Sequence, residues 1–248
     1  MIAFSGGVDS TFLLKVAVEV LGSDNVLAVT SSSRIHPDKE IEHAKKIAEE
    51  IGVKHYLIKT SELENIKFIK NDKKRCYYCK SELFGQLHQV AENKGYYPIL
   101  DGSNYDDKQS DYRPGRKAAG ELDIKSPLEL AELTKSEIRN LSQRLDLPTW
   151  DEPSSACLTT RIPYGEKITS KRLDMIEKAE NYLNNYDLKQ IRVRHHDDNT
   201  ARIEVNPKEM PIIINNSQQI NKKLQEIGYT YITLDLEGYR TGSMNKIL

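Results

Sequence analysis

The chain has 248 residues, of which 38% are hydrophobic and 29% charged, and its formal net charge is −1. This composition is that of an ordinary globular protein, and the near-zero charge argues against a protein that coats nucleic acid, because phosphate-dominated binding usually needs a basic surface. The sequence contains no apolar run of about eighteen residues, so we predict no transmembrane helix.

The first part of the chain alternates strand patterns with helical patterns. Helical spacing with a glycine at its end marks residues 11–22 and 37–52, and Pro37 occupies the predicted first helical position of the second. Apolar runs predict strands at MIAF (1–4), VLAVT (26–30), HYLI (55–58) and YPILDG (97–102). This alternation indicates a parallel sheet with helices on both faces.

Two further local features of this part of the chain are a helix-capping motif and an unusually short first strand. Thr134 and Glu137 form a capping box, which predicts a helix that runs to about Asp146. The first strand is shorter than the usual length of about five or six residues. We therefore expect the native protein to have more residues upstream of Met1.

The pattern changes in residues 148–166, PTWDEPSSACLTTRIPYGE, which carry three prolines and no helical period. Such a segment predicts a long functional loop or hinge. The patterns beyond it predict a helix near 170–185, strands near 190–195 and 201–205, a helix near 217–227 and a strand near 230–235. We therefore predict a first domain over 1–164 and a smaller α+β domain over 165–248.

The segment SGGVDS, residues 5–10, lies between a predicted strand and a predicted helix. Gly6 and Gly7 permit close approach of the backbone to an anion, Ser5 and Ser10 offer hydroxyl groups, and the helix N-terminus adds N–H groups. The segment lacks the GK[ST] of a Walker A loop and is not G-x-G-x-x-G. It predicts a phosphate-binding loop; the alternative is an ordinary glycine turn capped by serine or aspartate.

The sequence has three cysteines, Cys76 and Cys79 in RCYYCK and Cys157 in the proline-containing loop. The N-terminus lacks the basic region and apolar core of a secretory signal, so we expect a cytoplasmic protein with reduced thiols. In that compartment C-x-x-C is more often metal-binding or redox-active than a structural disulfide.

SGGVDS resembles the PP-loop of the ATP pyrophosphatase superfamily, whose fold is an adenine nucleotide α-hydrolase-like α/β sheet. The resemblance implies that a substrate oxygen is adenylated, pyrophosphate leaves, and a nucleophile then displaces AMP. It implies a catalytic role for Asp9 at a Mg²⁺–pyrophosphate site. The ATP-binding residues would be Ser5, Gly6, Gly7, Asp9, Ser10 and Gly102.

Several segments in chain order resemble the LarE family: DGSNYDD (101–107), DYRPG (111–115), PSSACLTTRIPYG (153–165), RVRHH (192–196), ARIEV (201–205) and LEGYRTGSMN (236–245). LarE proteins adenylate the carboxylates of pyridinium-3,5-biscarboxylic acid mononucleotide and convert them to thiocarboxylates. The product becomes the organic part of the nickel-pincer nucleotide. The resemblance therefore implies an ATP-dependent sulfur transferase.

Within that family the cysteine that matches Cys157 is the sulfur site, and many members have only this one and sacrifice its sulfur. The additional Cys76 and Cys79 depart from that pattern and resemble a three-cysteine branch, in which the thiolates hold a 4Fe–4S cluster. Cys76, Cys79 and Cys157 would then be both metal ligands and catalytic residues, with a sulfide on the open iron.

Three other interpretations of the cysteines stay open. A structural zinc site needs a fourth ligand, for which the candidates are His55, His88, His195 and His196. A redox-active C-x-x-C with a persulfide at Cys157 is the second. Three unrelated buried cysteines are the third.

Basic and acidic residues in the motifs are candidates for substrate binding. Arg161 follows Cys157 in the loop, and Arg192 and Arg194 share a face of a predicted strand. By resemblance, Arg161, Arg194 and Arg240 bind substrate near the sulfur site, with Arg192 as a further clamp and Glu180 as an acidic companion. Packing is the expected role of Trp150. A charged loop could contact ATP or Mg²⁺ or be a solvated turn: Asp106, Asp107, Asp111 and Arg113.

Two further functions compete with the sulfur transferase: an iron–sulfur tRNA thiolase with a PP-loop, and an ATP-responsive metal or redox sensor. The net charge of −1 disfavours a nucleic-acid partner. We expect a small-molecule nucleotide substrate, no membrane partner, a homo-oligomer by resemblance, and an unidentified sulfide donor. We assign substrate binding and oligomerisation to the domain over 165–248.

Overall fold

The computed structural model describes residues 1–109, 114–153, 155–197, 199–240 and 242–244. The chain forms two compact units. The first consists of Met1–Asn65 and Lys74–Ser155, and the second of Ile66–Lys73 and Ala156–Leu248. The assignment of substrate binding and oligomerisation to residues 165–248 stays a prediction.

Helices and strands are numbered in chain order. The strands are β1 (Ile2–Ala3), β2 (Leu27–Ser32), β3 (Lys54–Lys59), β4 (Ile191–His196), β5 (Thr200–Val205) and β6 (Tyr231–Leu234). The helices are α1 (Val8–Leu21), α2 (Asp38–Ile51), α3 (Ile66–Ile69), α4 (Arg75–Lys94), α5 (Tyr105–Gln109), α6 (Pro114–Glu121), α7 (Pro127–Leu130), α8 (Lys135–Arg144), α9 (Ser170–Leu183), α10 (Met210–Asn215) and α11 (Ser217–Ile227).

The first unit contains a parallel sheet in which β2 lies between β1 and β3. The predicted strand at 97–102 is not formed: only Leu100 joins the sheet, through single bridges to Ile2 and Lys125. Pro98 has no N–H to donate to a ladder, and its carbonyl accepts a hydrogen bond from the Met1 amino group at 2.9 Å.

Helices cover both faces of this sheet, as the sequence predicts, because successive side chains of a strand point to opposite faces. Ala28 of β2 belongs to an apolar cluster with Leu14 of α1 and Ala44 of α2. Its neighbours Leu27 and Val29 belong to another cluster, which includes residues of α4. The fold is therefore α/β with a parallel sheet.

Helix α4, which carries RCYYCK, is the longest helix in the described part of the chain and was not among the predicted elements. Its buried apolar side chains form only a narrow stripe of Phe84, Leu87 and Ala91. That spacing is helical, but polar residues surround it, and this weakens the periodic signal. A smaller correction concerns Pro37, which precedes α2 in an extended conformation with ψ of 138°.

The second unit contains a small mixed sheet in which β5 pairs antiparallel with β4 and parallel with β6. Val193 and Ile203 of this sheet pack with Leu183 of α9 and Leu224 of α11 in one apolar cluster. The helices and strands predicted beyond residue 166 are confirmed in that order, but α10 lies between β5 and α11 and was not predicted. The proline-containing loop holds one short 3₁₀ turn, Leu158–Arg161.

None of the helices in the described residues has the length and apolar character that spanning a membrane requires.

Candidate functional site

The glycines of the loop between β1 and α1 are required by its conformation. Gly6 has φ of 75°, in the left-handed region, and a Cβ atom there would lie 2.8 Å from the Cα of Ala44. The backbone of the loop therefore packs directly on α2, and only glycine fits. Gly7 is the N-cap residue of α1, and no side chain caps this helix start.

The two serines of the loop brace it from inside. The Ser10 hydroxyl donates to the Gly7 carbonyl at 3.1 Å and lies 3.1 Å from the Ser5 hydroxyl. The first intrahelical hydrogen bond of α1 runs from the Thr11 N–H to the Gly7 carbonyl. The N–H groups that precede Thr11 at this helix start are suited to an anion, because no earlier turn supplies their acceptors.

Gly102 lies against the same helix start. A Cβ atom at Gly102 would lie 3.0 Å from the Ser10 nitrogen, so the segment after Leu100 approaches the loop closely. The preceding Asp101 is buried and accepts hydrogen bonds from Ser103 and Ser126, at 2.8 and 2.7 Å. The structure thus brings Gly102 to the loop residues with which the resemblance groups it.

Asp9 forms an ion pair with Lys135, a residue that the sequence analysis missed. The Lys135 Nζ lies 2.6 Å from Asp9 Oδ2, while Asp9 Oδ1 is buried and makes no hydrogen bond within the described residues. Such an oxygen fits Mg²⁺, which takes carboxylate ligands together with phosphate and water. The Thr134–Glu137 capping box, confirmed in the structure, begins α8 and so places Lys135.

The charged loop is only partly described. Asp106 accepts a hydrogen bond from the Lys135 N–H at 2.8 Å, and Asp107 accepts one from the Asn104 N–H at 3.3 Å. Both therefore have structural partners, and their predicted contact with ATP or Mg²⁺ stays a prediction. Asp111 and Arg113 lie outside the described residues.

Cys76 and Cys79 lie in the first turn of α4, where residues three apart share a helix face. Cys76 is exposed and Cys79 is half-buried. The Sγ of Cys79 lies 4.0 Å from Oε1 of the buried Glu62. The i,i+3 spacing therefore places both cysteines on one side of α4.

Cys157 directly precedes the turn Leu158–Arg161, and its Sγ lies 3.0 Å from the Thr159 hydroxyl. The Arg161 guanidinium holds this turn from within. Its Nη1 donates to the carbonyls of Ala156 and Cys157, the latter at 3.0 Å. We call residues Ala156–Arg161 the cysteine turn.

A buried carboxylate holds Arg161 in place. Glu180 of α9 accepts from Arg161 Nε and Nη2 at 2.9 Å each and from the Val193 N–H at 2.9 Å. Burial acts to raise the pKa of Glu180, but the Arg161 charge and these hydrogen bonds outweigh it and keep the pKa below its ordinary value. The Arg161 side chain is only 3% exposed.

Arg194 also reaches the cysteine turn from β4. Its Nη1 donates to the Thr160 carbonyl at 3.2 Å, and its Nε and Nη2 donate to Glu204 at 2.9 and 2.6 Å. Ser243 donates to Glu204 as well, at 2.9 Å. Glu204 and Ser243 were not singled out from the sequence, because nothing local marks a strand glutamate as the partner of an arginine on the neighbouring strand.

The other two arginines predicted to bind substrate, Arg192 and Arg240, are half-buried. Arg240 Nη2 lies 3.1 Å from Asp235 Oδ2, which also accepts from Arg202 Nη1 at 3.0 Å. The Arg192 guanidinium lies 5.5 Å from the centre of the Tyr239 ring. The substrate roles of Arg161, Glu180, Arg192, Arg194 and Arg240 stay predictions.

The described residues do not form a complete metal site. Within them no group of three or more His, Cys, Asp or Glu side chains is placed to hold a metal ion. Cys76 and Cys79 belong to the first unit and Cys157 to the second, so neither unit contains all three thiols. The iron–sulfur cluster stays a prediction.

Three of the four histidines considered as zinc ligands lie within hydrogen-bond distance of other groups. His55 Nε2 lies 2.8 Å from the Thr30 hydroxyl, and His88 Nε2 lies 2.7 Å from the Leu122 carbonyl. His195 is fully buried, with Nδ1 3.3 Å from the Tyr229 hydroxyl. Nε2 of the fourth candidate, His196, is buried and makes no hydrogen bond within the described residues, so the structural zinc alternative stays open. Trp150, expected to pack, remains 37% exposed.

Comparisons with known proteins cover both units. A family model described as NAD synthase matches residues 1–80, which include the phosphate loop. The uncharacterized protein slr1717 of Synechocystis sp. is 43% identical over all of this chain and 92% of its own length. Pyridinium-3,5-bisthiocarboxylic acid mononucleotide synthase of Lactiplantibacillus plantarum is 37% identical over 247 residues, all of this chain and 89% of that protein.

A more distant relative shares part of the chain. NH(3)-dependent NAD(+) synthetase of Methanococcoides burtonii is 26% identical over 165 residues, 60% of this chain and 57% of that protein. The two full-length similarities therefore include the cysteine turn as well as the phosphate loop, whereas the NAD synthase model ends soon after RCYYCK.

Proposed function

The chain belongs to the LarE family of PP-loop ATP pyrophosphatases, and from this premise we propose that it is an ATP-dependent sulfur transferase. Its substrate would be pyridinium-3,5-biscarboxylic acid mononucleotide, and its product the thiocarboxylate used for the nickel-pincer nucleotide. The observation that carries the proposal is the 37% identity to the Lactiplantibacillus plantarum synthase over the full length of this chain.

The first step is adenylation of a substrate carboxylate. The carboxylate oxygen attacks the α phosphorus of ATP, the bond from that phosphorus to the bridging oxygen breaks, and pyrophosphate leaves. The loop of Ser5, Gly6, Gly7 and Ser10, with its backbone N–H groups, would hold the phosphates together with Gly102. Asp9 would hold Mg²⁺, whose charge stabilises the leaving pyrophosphate.

The second step is sulfur transfer. A sulfide attacks the activated acyl carbon, and the bond from that carbon to the AMP oxygen breaks. We propose Cys157 as the sulfur site, with Cys76 and Cys79 as its partners in holding a 4Fe–4S cluster. When bound, such a cluster would supply an open iron for the sulfide donated by another component.

Two observations support this use of the cysteines. The C-x-x-C pair is accessible and lies in one helical turn, and Cys157 occupies a turn held by buried charges rather than by the thiol itself. For the substrate we propose four arginines of the second unit, whose guanidinium groups would suit an anionic nucleotide: Arg161, Arg192, Arg194 and Arg240. Glu180 would keep Arg161 oriented.

The test mixes anaerobically purified protein with ATP, Mg²⁺, the biscarboxylate mononucleotide and sulfide. We expect pyrophosphate release that depends on the mononucleotide, and a product whose mass shows sulfur in place of oxygen. Asp9→Asn should lose both signals, and Cys157→Ala should keep pyrophosphate release but lose the thiocarboxylate. Asp187→Asn, at an exposed position of the second unit, is the control.

Other outcomes separate the alternatives. An amide product with ammonia in place of sulfide would indicate an NAD synthetase-like reaction. Salt-sensitive tRNA binding with thiolated tRNA would indicate a tRNA thiolase, and ATP binding without pyrophosphate release would indicate a sensor. About four irons per chain, lost in Cys157→Ala, would support the cluster, while bound zinc or no metal would refute it and leave a sacrificial or persulfide Cys157.

A further inference from the structure

Asn71 lies in the segment Ile66–Lys73, the part of the second unit that precedes RCYYCK in the chain. It is fully buried and has φ of 54°, in the left-handed region. Asparagine tolerates that conformation better than most residues, but burial of a polar amide requires hydrogen bonds to compensate for lost water. The side chain is therefore held there for specific contacts.

The carboxamide nitrogen of Asn71 bonds to the loop that follows the cysteine turn. The Asn71 Nδ2 donates to the carbonyl of Pro163 at 2.7 Å and to that of Glu166 at 3.0 Å, and it lies 3.4 Å from the Ile162 carbonyl. The Asn71 carbonyl accepts from the Gly165 N–H at 3.0 Å. One residue thus binds four backbone groups within residues 162–166.

A second backbone hydrogen bond joins the same two segments of the chain. The Ile168 N–H donates to the Ile69 carbonyl at 3.0 Å. The cysteine turn itself is held by the Arg161 guanidinium, which donates to the Cys157 carbonyl and is fixed by Glu180. Cys157 therefore lies in a short stretch that is tied on one side to α9 and on the other, through residues 162–166, to the segment containing Asn71.

That segment is also the one from which the C-x-x-C helix starts. The chain enters the first unit between Lys73 and Lys74, and α4 begins at Arg75, directly before Cys76. We propose that Asn71 is a positioning residue: its carboxamide fixes the loop after Cys157 to the segment that leads into Cys76 and Cys79. The proposal rests on the proposed function only in taking Cys157 as the sulfur site.

The chemistry of the contacts defines the variants. Asn71→Gly keeps the left-handed backbone and removes the amide. Asn71→Asp keeps the shape but turns a carboxylate toward carbonyl oxygens, which repel it. Asp187→Gly is the matched control, because Asp187 is an exposed residue of the same unit with φ of 51°.

The measurement is the rate at which a thiol alkylating reagent modifies each cysteine of the metal-free protein, followed by peptide mass spectrometry. In both Asn71 variants we expect Cys157 to react about tenfold faster, since loss of a net hydrogen bond opens a local structure by about that factor. Cys79 in the same molecule and all cysteines of Asp187→Gly should keep their wild-type rates. A sulfur-transfer assay should show a lower kcat with an unchanged KM.

An unchanged Cys157 rate, or an equal rise at all cysteines, would overturn the proposal, because the first excludes positioning and the second shows general destabilisation. If neither variant folds, native-state hydrogen exchange of the wild-type protein decides. The Gly165 and Ile168 N–H groups should then exchange as slowly as those of β4. Rapid exchange of these groups would refute the proposal that Asn71 positions the loop. Alkylation and exchange need no substrate, so failure of the proposed function leaves both readouts intact.

Discussion

The phosphate loop of the first unit and the cysteine turn of the second achieve rigidity by opposite means. Side chains are absent from the phosphate loop where it is tightest, at Gly6, whose backbone packs on Ala44. The cysteine turn instead depends on a large charged side chain, Arg161, which is buried with Glu180 as its partner. The phosphate loop depends on the lack of a side chain at its closest contact, and the cysteine turn depends on a buried, hydrogen-bonded ion pair.

This difference shows that some motif residues leave groups available to a ligand, whereas others bond within the protein and hold a neighbouring segment. In the phosphate loop the N–H groups of Ser5 and Gly7 donate to the Ser10 and Ser5 hydroxyls, at 3.3 and 3.4 Å. The N–H groups left for a ligand are those of residues 8–10 at the start of α1. Arg161 directs its guanidinium to Glu180 and to backbone carbonyls of its own unit. An arginine in a substrate-binding motif can therefore act mainly on the geometry of the neighbouring cysteine.

The largest expected effect tests the charged turn. Glu180→Gln leaves the buried Arg161 without its counter-ion, so we expect a loss of about 3–5 kcal/mol in the free energy of unfolding. Urea denaturation measures it. Glu226→Gln, which removes an exposed pair with Lys223, should cost less than about 1 kcal/mol. Equal losses in the two variants would show that the buried pair contributes nothing special.

The next effect tests the glycine loop. Gly6→Ala adds left-handed strain and a clash with α2, so we expect a loss of about 2–5 kcal/mol and no ATP-dependent pyrophosphate release. Gly52 has φ of 76° with nothing within 4 Å of an added Cβ. Gly52→Ala should therefore cost only the strain, about 1–2 kcal/mol, and keep activity. Matching stability losses would contradict the close approach seen at Ala44.

Helix caps give a smaller comparison between the units. Thr134 of the first unit has a reciprocal capping box, whereas Thr169 of the second accepts only the Arg172 N–H, at 3.3 Å. We expect Thr134→Ala to cost about 1–2 kcal/mol and Thr169→Ala about 0.5–1 kcal/mol, measured by urea denaturation. Thr134→Ala should also weaken ATP binding, because it loosens the start of α8, where Lys135 contacts Asp9.

The smallest expected effect concerns how the free energy of unfolding depends on pH. Burial, with the Lys80 charge, lowers the pKa of His36 from 6.5 to about 4. The unfolded chain therefore binds a proton first as pH falls, so this contribution to stability is complete above pH 6.5 and is lost toward pH 4. The lowered pKa of Glu180 acts only below its ordinary 4.5. Burial also lowers the pKa of His55 and of His196, so His36→Gln should reduce the pH dependence of the upper window without abolishing it and leave the lower window unchanged. Urea midpoints measured between pH 4 and pH 6.5 check this slope.

Much of the fold was predictable because its signals are local. Glycine-terminated helices, β-branched strands and the Thr134 capping box each depend on neighbours in sequence, and α1, α2 and α8 confirm them. The strand at 97–102 failed because pairing depends on a partner elsewhere in the chain. Helix α4 was missed because its buried stripe is narrow.

The sequence by itself determined the phosphate loop, since a glycine turn before a helix carries its chemistry in adjacent residues. It also singled out Cys157, Arg161 and Glu180 by resemblance. Only the tertiary structure decided that Lys135 pairs with Asp9, 126 residues away, and that Asn71 binds the Pro163 carbonyl, 92 residues away. Packing selects such partners from the whole chain, and no local pattern of lysine or asparagine marks them.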